Sequence, residues 1–144
     1  MTYEILSERR APDYRISSPS DAFEVFKRYA NSRVEKFAVA VLNSAHHVIA
    51  VKLISIGTVN RAIAAPREVF YPAILLNGVA IIAMHTHPSN CTNPSDDDIA
   101  LTRRLRDAGA ILGIPLLDHL ILGRKGSRFS LLEHGLIPPQ DYDS

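Results

Sequence analysis

Two histidines separated by a single residue, His85 and His87, follow the apolar run Val79-Ala80-Ile81-Ile82-Ala83-Met84. At the end of an extended strand alternate side chains share a face, so the two imidazoles point the same way. A loop containing Pro88 and Pro94 follows, and then Ser95-Asp96-Asp97-Asp98 opens what reads as a helix, with Asp98 in its first turn. Two imidazoles and a carboxylate, with one position left for water, are the donor set of a catalytic zinc ion. A structural reading competes: Ser95 is a good N-cap, and Asp98 three residues on completes a capping box. Three successive acids also favour the positive end of a helix dipole. Capping accounts in part for Ser95 and Asp96. It does not account for a buried-looking strand that ends in two histidines facing that same helix start.

The surrounding elements must hold these groups. Residues 1–17 form a polar N-terminal extension in which Tyr3, Ile5 and Leu6 mark an edge strand. Ser18-Pro19-Ser20-Asp21 reads as a helix start, Ser18 capping and Pro19 in the first helical position. Ala22, Phe23, Phe26 and Ala30 follow at helical spacing and predict a helix to about Asn31. Phe37 to Leu42 and Val48 to Ile56, joined by Asn43-Ser44-Ala45, predict an antiparallel hairpin in the middle of a sheet. Pro66 opens a helix with Val69, Phe70, Ala73 and Ile74 on one side, stopped at Asn77-Gly78. Ser95 to Leu112 is a long helix with Ile99, Leu105, Ala108 and Ile111 as its inward candidates. Ile114 to Leu122 is a strand, Gly123 to Gly126 a turn and Arg128 to Leu132 a last strand, followed by a frayed tail over 138–144. Irregular alternation with a hairpin predicts a three-layer α/β fold around a mixed sheet.

Bulk properties narrow the class. The chain has 144 residues, enough for one core, so the principal domain is set at 18–137. A formal net charge of +1 offers no strong field to nucleic acid or a membrane. The lone Cys91 fits a reducing compartment, and the N-terminal stretch lacks the apolar core of a secretory signal, so a cytoplasmic protein is expected.

The metal segment resembles a known pattern. His-x-His, seven residues, Ser, two residues, Asp is similar to the JAMM motif of the JAB1/MPN metalloprotease superfamily. The surroundings resemble its RadC-like branch, often labelled a DNA repair protein. That branch has His-x-His-Pro-Ser, Pro-Ser-x-x-Asp and Leu-Asp-His, here His85 to Ser89, Pro94 to Asp98 and Leu117-Asp118-His119. The resemblance covers roughly residues 20–135 and departs at Thr86, where the branch usually has Asn, and at Asn90, where it usually has Gly. It implies a cytidine-deaminase-like JAB/MPN fold, a bound Zn2+ on His85, His87 and Asp98, and cleavage of a peptide or isopeptide substrate. It also implies an upstream general base, which matches Glu35; this residue would take a proton from the activated water and hand it to the leaving amine. Glu68 is the rival, at a helix start where an acid can simply serve the dipole. By the same match Ser95 would steady the oxyanion while capping its helix.

Other residues weigh less. Asp118 and His119 point to opposite faces by alternation, so at most one faces the site, where it orients a ligand or forms part of a hydrogen-bonded core pair. Cys91 reads as a loop residue, and His46, His47 and His134 read as exposed. Arg124, Lys125 and Arg128 form a modest basic edge. Longer members of the branch carry a helix-hairpin-helix region, whose glycine-rich hairpin residues 1–33 lack, so DNA is a weakly supported partner. A non-catalytic MPN scaffold is disfavoured by the intact ligand set, and a homo-oligomer is left open. A metal-dependent barrel hydrolase needs a longer chain. A non-haem iron oxygenase shares the ligand types but not this spacing.

Overall fold

The computed structural model describes residues 3–5, 14–57 and 65–137. Ten short elements follow the chain in the order β1 (Tyr3–Ile5), α1 (Pro19–Val25), a 3-10 turn (Lys27–Tyr29), β2 (Lys36–Leu42), β3 (Val48–Ile56), α2 (Pro66–Leu75), β4 (Ala80–Thr86), α3 (Asp96–Leu112), β5 (Leu116–Leu122) and β6 (Arg128–Ser130). The strands form one sheet in the order β1-β3-β2-β4-β5-β6. β4 and β5 pair in parallel, connected through α3, and every other pairing is antiparallel. The sheet is therefore mixed, with the β2–β3 hairpin inside it and β1 at one edge, as the apolar patterning predicts.

Both faces of the central strands are buried, which is why β2, β4 and β5 are mostly apolar on both faces, broken only by Lys36, His85-Thr86 and Asp118-His119. Ala38, Ala40 and Leu42 of β2 join Ile82 and Met84 of β4 under α1 (Ala22 and Phe23) and the adjoining Phe26. Phe37, Val39 and Val41 join Ile81 and Ala83 under α2 and α3, through Val69, Phe70, Ala73 and Leu105. The fold is thus an α/β sandwich of three layers. At roughly 2 kcal/mol for each fully buried large apolar side chain, Phe37, Phe70 and Leu105 contribute strongly to the layer that carries the site.

Several boundaries differ from the sequence expectation. α1 ends at Val25 and tightens into the 3-10 turn, so Phe26 and Tyr29 remain buried without a continuous helix to Asn31. Ile74 of α2 is exposed. The inward stripe of α3 is Thr102, Leu105 and Gly109, while Ile111 is 86% exposed. Gly109 explains the shift, because a Cβ there would stand 2.5 Å from the Ile114 carbonyl oxygen, and its absence lets α3 lie close against the start of β5. The tail over 138–144 lies outside the described residues. No helix among the described residues is long and apolar enough to cross a membrane.

Candidate metal centre

His85 is the penultimate residue of β4 and shares its odd-numbered face with Ile81 and Ala83, toward α2 and α3. His87 lies just beyond the strand, held by its backbone N–H to the Leu122 carbonyl at 3.0 Å. Asp98 occupies the first turn of α3, where Ser95 caps the helix. The Ser95 hydroxyl accepts from the Asp98 N–H at 3.1 Å, and Asp98 Oδ2 accepts from the Ser95 N–H at 2.9 Å. The capping box predicted from sequence is therefore present, and its N3 member is also the carboxylate that meets the histidines.

His85 Nε2 stands 3.1 Å from Asp98 Oδ1, and His87 Nε2 stands 3.2 Å from Asp98 Oδ2. The two Nε2 atoms are 3.0 Å apart. His87 Nδ1 lies 3.1 Å from the Cys91 carbonyl oxygen, which can only accept, so the ring's Nδ1 carries the proton. A neutral His87 then presents a bare Nε2 to a carboxylate oxygen. Lone pairs at that separation repel unless a proton or a metal cation lies between them, and the donor set of His85, His87 and Asp98 fits a metal ion. With no ion bound, a proton fills that place. The Asp98 hydrogen bond holds the His87 imidazole above its ordinary range against the opposing effect of burial. Burial works against the Asp98 charge, yet the hydrogen bonds from His85 and His87 keep its carboxyl well below the usual carboxylate range.

The cleft over these groups is also lined by Glu35, Phe37, Ser89 and Ser95. Glu35 sits immediately before β2, half-buried. Its flanks are fixed by Thr86: the Thr86 hydroxyl donates to the Val34 carbonyl at 2.9 Å and accepts from the Lys36 N–H at 2.8 Å. Thr86 touches no ligand, but it pins the backbone on both sides of Glu35, a role that its position in the metal segment did not disclose. Glu68 lies at the start of α2 beside Arg67 (3.6 Å) and is not among the residues that line the cleft.

The alternation argument for Asp118 and His119 holds, and the structure decides between them. A register irregularity between Ile81 and Ile82 sets His119 opposite Ala83, on the face of His85. His119 Nε2 meets His85 Nδ1 at 2.8 Å, and Phe37 packs against both rings at 6.3 and 5.8 Å. Burial pushes the His119 imidazole well below its ordinary range. Asp118 faces the other layer and ties β5 to β6, accepting from Ser130 Oγ at 2.6 Å, the His119 N–H at 2.7 Å and the Leu132 N–H at 3.1 Å. Thr102, an ordinary helix residue in the sequence, lies 2.6 Å from His119 Nδ1. His46 and His47 are half-buried, because the hairpin turn folds back on the chain through a bridge from Arg15 to His47. Cys91 is exposed and serves the site through its backbone carbonyl.

The chain matches the RadC-like JAB domain over residues 16–136. It is 44% identical over 128 residues to a UPF0758 protein of Alkaliphilus oremlandii, covering 87% of this chain and 54% of that one. A UPF0758 protein of Shouchella clausii is 47% identical over 121 residues, covering 83% of this chain and 52% of the relative. The chain thus spans about half the length of the curated relatives it matches.

Proposed function

This chain belongs to the RadC-like JAB domain family, and from that premise we propose that it is a zinc-dependent hydrolase of peptide or isopeptide bonds. The observation that carries the reading is the convergence of His85 Nε2 and His87 Nε2 on the Asp98 carboxylate, in a cleft that Glu35 and Ser95 also line. His85, His87 and Asp98 would hold the ion, which when bound supplies a Lewis acid and lowers the pKa of water to about 7.

The remaining work falls to the chain's own side chains. Glu35 accepts the proton of the attacking water and returns it to the leaving amine, which would otherwise depart as an unstable anion. Thr86 keeps Glu35 in place by holding the backbone groups before and after it. The Ser95 hydroxyl uses a lone pair to cap α3 and retains its O–H for the oxyanion that develops on the substrate carbonyl. Glu68 is the alternative base.

Metal analysis of protein purified without added metal tests the ligand set. Stoichiometric zinc is expected, lost in His85→Ala. Cleavage of a mixed peptide and isopeptide library, read by mass spectrometry, should stop on chelation and return with zinc. Full zinc occupancy in the His85 variant would mean the wrong ligands, and zinc without cleavage would mean a structural ion.

A DNA-associated role of the RadC type has one observation in its favour. The basic turn after β5 reaches the cleft rim, where the Arg124 N–H donates to the Ser89 carbonyl at 2.8 Å. With a net charge of +1 the chain should bind duplex DNA weakly and without sequence preference at physiological salt. A sequence-specific nanomolar complex in a filter or polarisation assay would reverse the order of the two readings. A cytoplasmic setting is proposed on the strength of the single cysteine.

A further inference from the structure

We propose that Thr102 and His119 form a hydrogen-bonded relay that fixes His85 in its metal-ligating tautomer and closes back on Asp98, so that two of the three ligands are held by one chain of bonds. This rests on the reading of His85, His87 and Asp98 as metal ligands. The geometry is continuous: His85 Nδ1 to His119 Nε2 at 2.8 Å, His119 Nδ1 to Thr102 Oγ1 at 2.6 Å, and Thr102 Oγ1 to the Asp98 carbonyl oxygen at 2.7 Å. Its side chains lie inside the protein, with Thr102 2% exposed, His85 buried and His119 wholly buried.

The direction of the relay follows from counting protons. A carbonyl oxygen only accepts, so the single Thr102 O–H is spent on Asp98. Thr102 Oγ1 can then only accept from His119, which places the His119 proton on Nδ1. His119 Nε2 is left bare and accepts from His85 Nδ1–H. The second nitrogen of His85, Nε2, is therefore the one with a free lone pair, and it is the atom that faces Asp98 Oδ1 at 3.1 Å. The opposite polarity would put a proton on His85 Nε2 and block it. The two polarities hold the same number of protons, but the opposite one takes the Thr102 O–H away from the Asp98 carbonyl, so that bond distinguishes them. The Thr102 hydroxyl makes the choice, through the backbone of the helix turn that carries Asp98. Phe37 packs both rings but has no polar atom and so cannot choose. Thr102 and His119 are thus positioning residues, acting through His85.

The test uses the chelator-stripped chain and zinc ion alone. Thr102→Val keeps the shape of the side chain and removes the hydroxyl. Zinc affinity, measured by competition with a chromophoric chelator, should fall about 10–100-fold, the usual effect of losing an outer partner. Thr102→Ser should restore it. Ring-nitrogen NMR of the zinc-loaded wild type should show His119 protonated on Nδ1 and His85 on Nδ1, and in Thr102→Val the His119 assignment should mix. A purely structural threonine would move stability but not the tautomer. If the valine variant fails to fold, Thr102→Ala makes the same comparison. Unchanged affinity and unchanged ring spectra in a folded variant would overturn the relay and leave the metal site standing. A wild type that takes up no zinc would overturn both.

Discussion

Asp98 Oδ2 accepts the Ser95 backbone N–H at 2.9 Å, and the same oxygen stands 3.2 Å from His87 Nε2. One carboxylate thus closes the N-terminus of α3 and completes the cluster with His85 and His87. The two duties can be separated by substitution. Asp98→Asn keeps an oxygen for the Ser95 N–H but loses the charge, so zinc should be lost and the metal-free chain should lose the contribution of the His85 and His87 contacts to the carboxylate. Asp98→Ala loses the cap as well and should cost roughly 1 kcal/mol more in urea unfolding. Full zinc occupancy in either variant would remove Asp98 from the ligand set.

Glu35→Gln should separate chemistry from binding. The amide keeps the shape of the side chain but accepts no proton. Zinc content should match the wild type while turnover of an amide substrate falls about 10²–10⁴-fold. Glu68→Gln should stay within a few-fold, because Glu68 is outside the cleft lining. The reverse pattern would move the base to Glu68.

Thr86→Val should weaken catalysis without touching the metal. It strips the Val34 carbonyl and the Lys36 N–H of their shared partner. An unpaired buried group costs about 1–3 kcal/mol, so both stability and the placement of Glu35 should suffer. A drop in kcat with unchanged zinc affinity is the expected result. Unchanged kcat would show that Glu35 is positioned by other contacts.

Asp118 gives a pH signature. Burial pushes its carboxyl up to about 6, against the pull of Ser130 and the Leu132 and His119 amides. Between its ordinary value near 4 and about 6 the folded chain therefore holds a proton that the unfolded chain has released. Stability contributed by the neutral form is full below that window and falls as pH rises through it, by about 3 kcal/mol in all. Asp118→Asn should flatten this part of the stability profile relative to the wild type in urea titrations from pH 4 to 7. Parallel profiles would mean that the three hydrogen bonds already favour the charged carboxylate.

What the sequence disclosed and what it hid have physical reasons. The side-chain alternation of β4 and the cap of α3 are local rules, and both place their residues correctly. Both faces of the sheet were legible because β2, β4 and β5 are mostly apolar on both faces. The inward stripe of α3 was not, because Thr102 and Gly109 do not look like core residues while the exposed Ile111 does. Which member of the Asp118-His119 pair faces His85 depends on a register shift against β4, which no local pattern encodes. The roles of Thr86 and Thr102 are not legible in the sequence because their partners are backbone groups and a ring brought close only by the fold.

The β4–α3–β5 crossover has a consequence for the order in which the site comes into being. His85, His87, Asp98, Thr102 and His119 all belong to this one stretch, and the separation from His85 to His119 is 34 residues. Glu35 arrives from outside it, through the pairing of β2 with β4 and the Thr86 clasp that spans 50 residues. Contacts between distant parts of a chain pay a larger closure entropy and tend to form later. The proposed ligands and their hydrogen-bond partners can therefore assemble within one βαβ unit, whereas the proposed proton acceptor joins them only when β2 docks on β4.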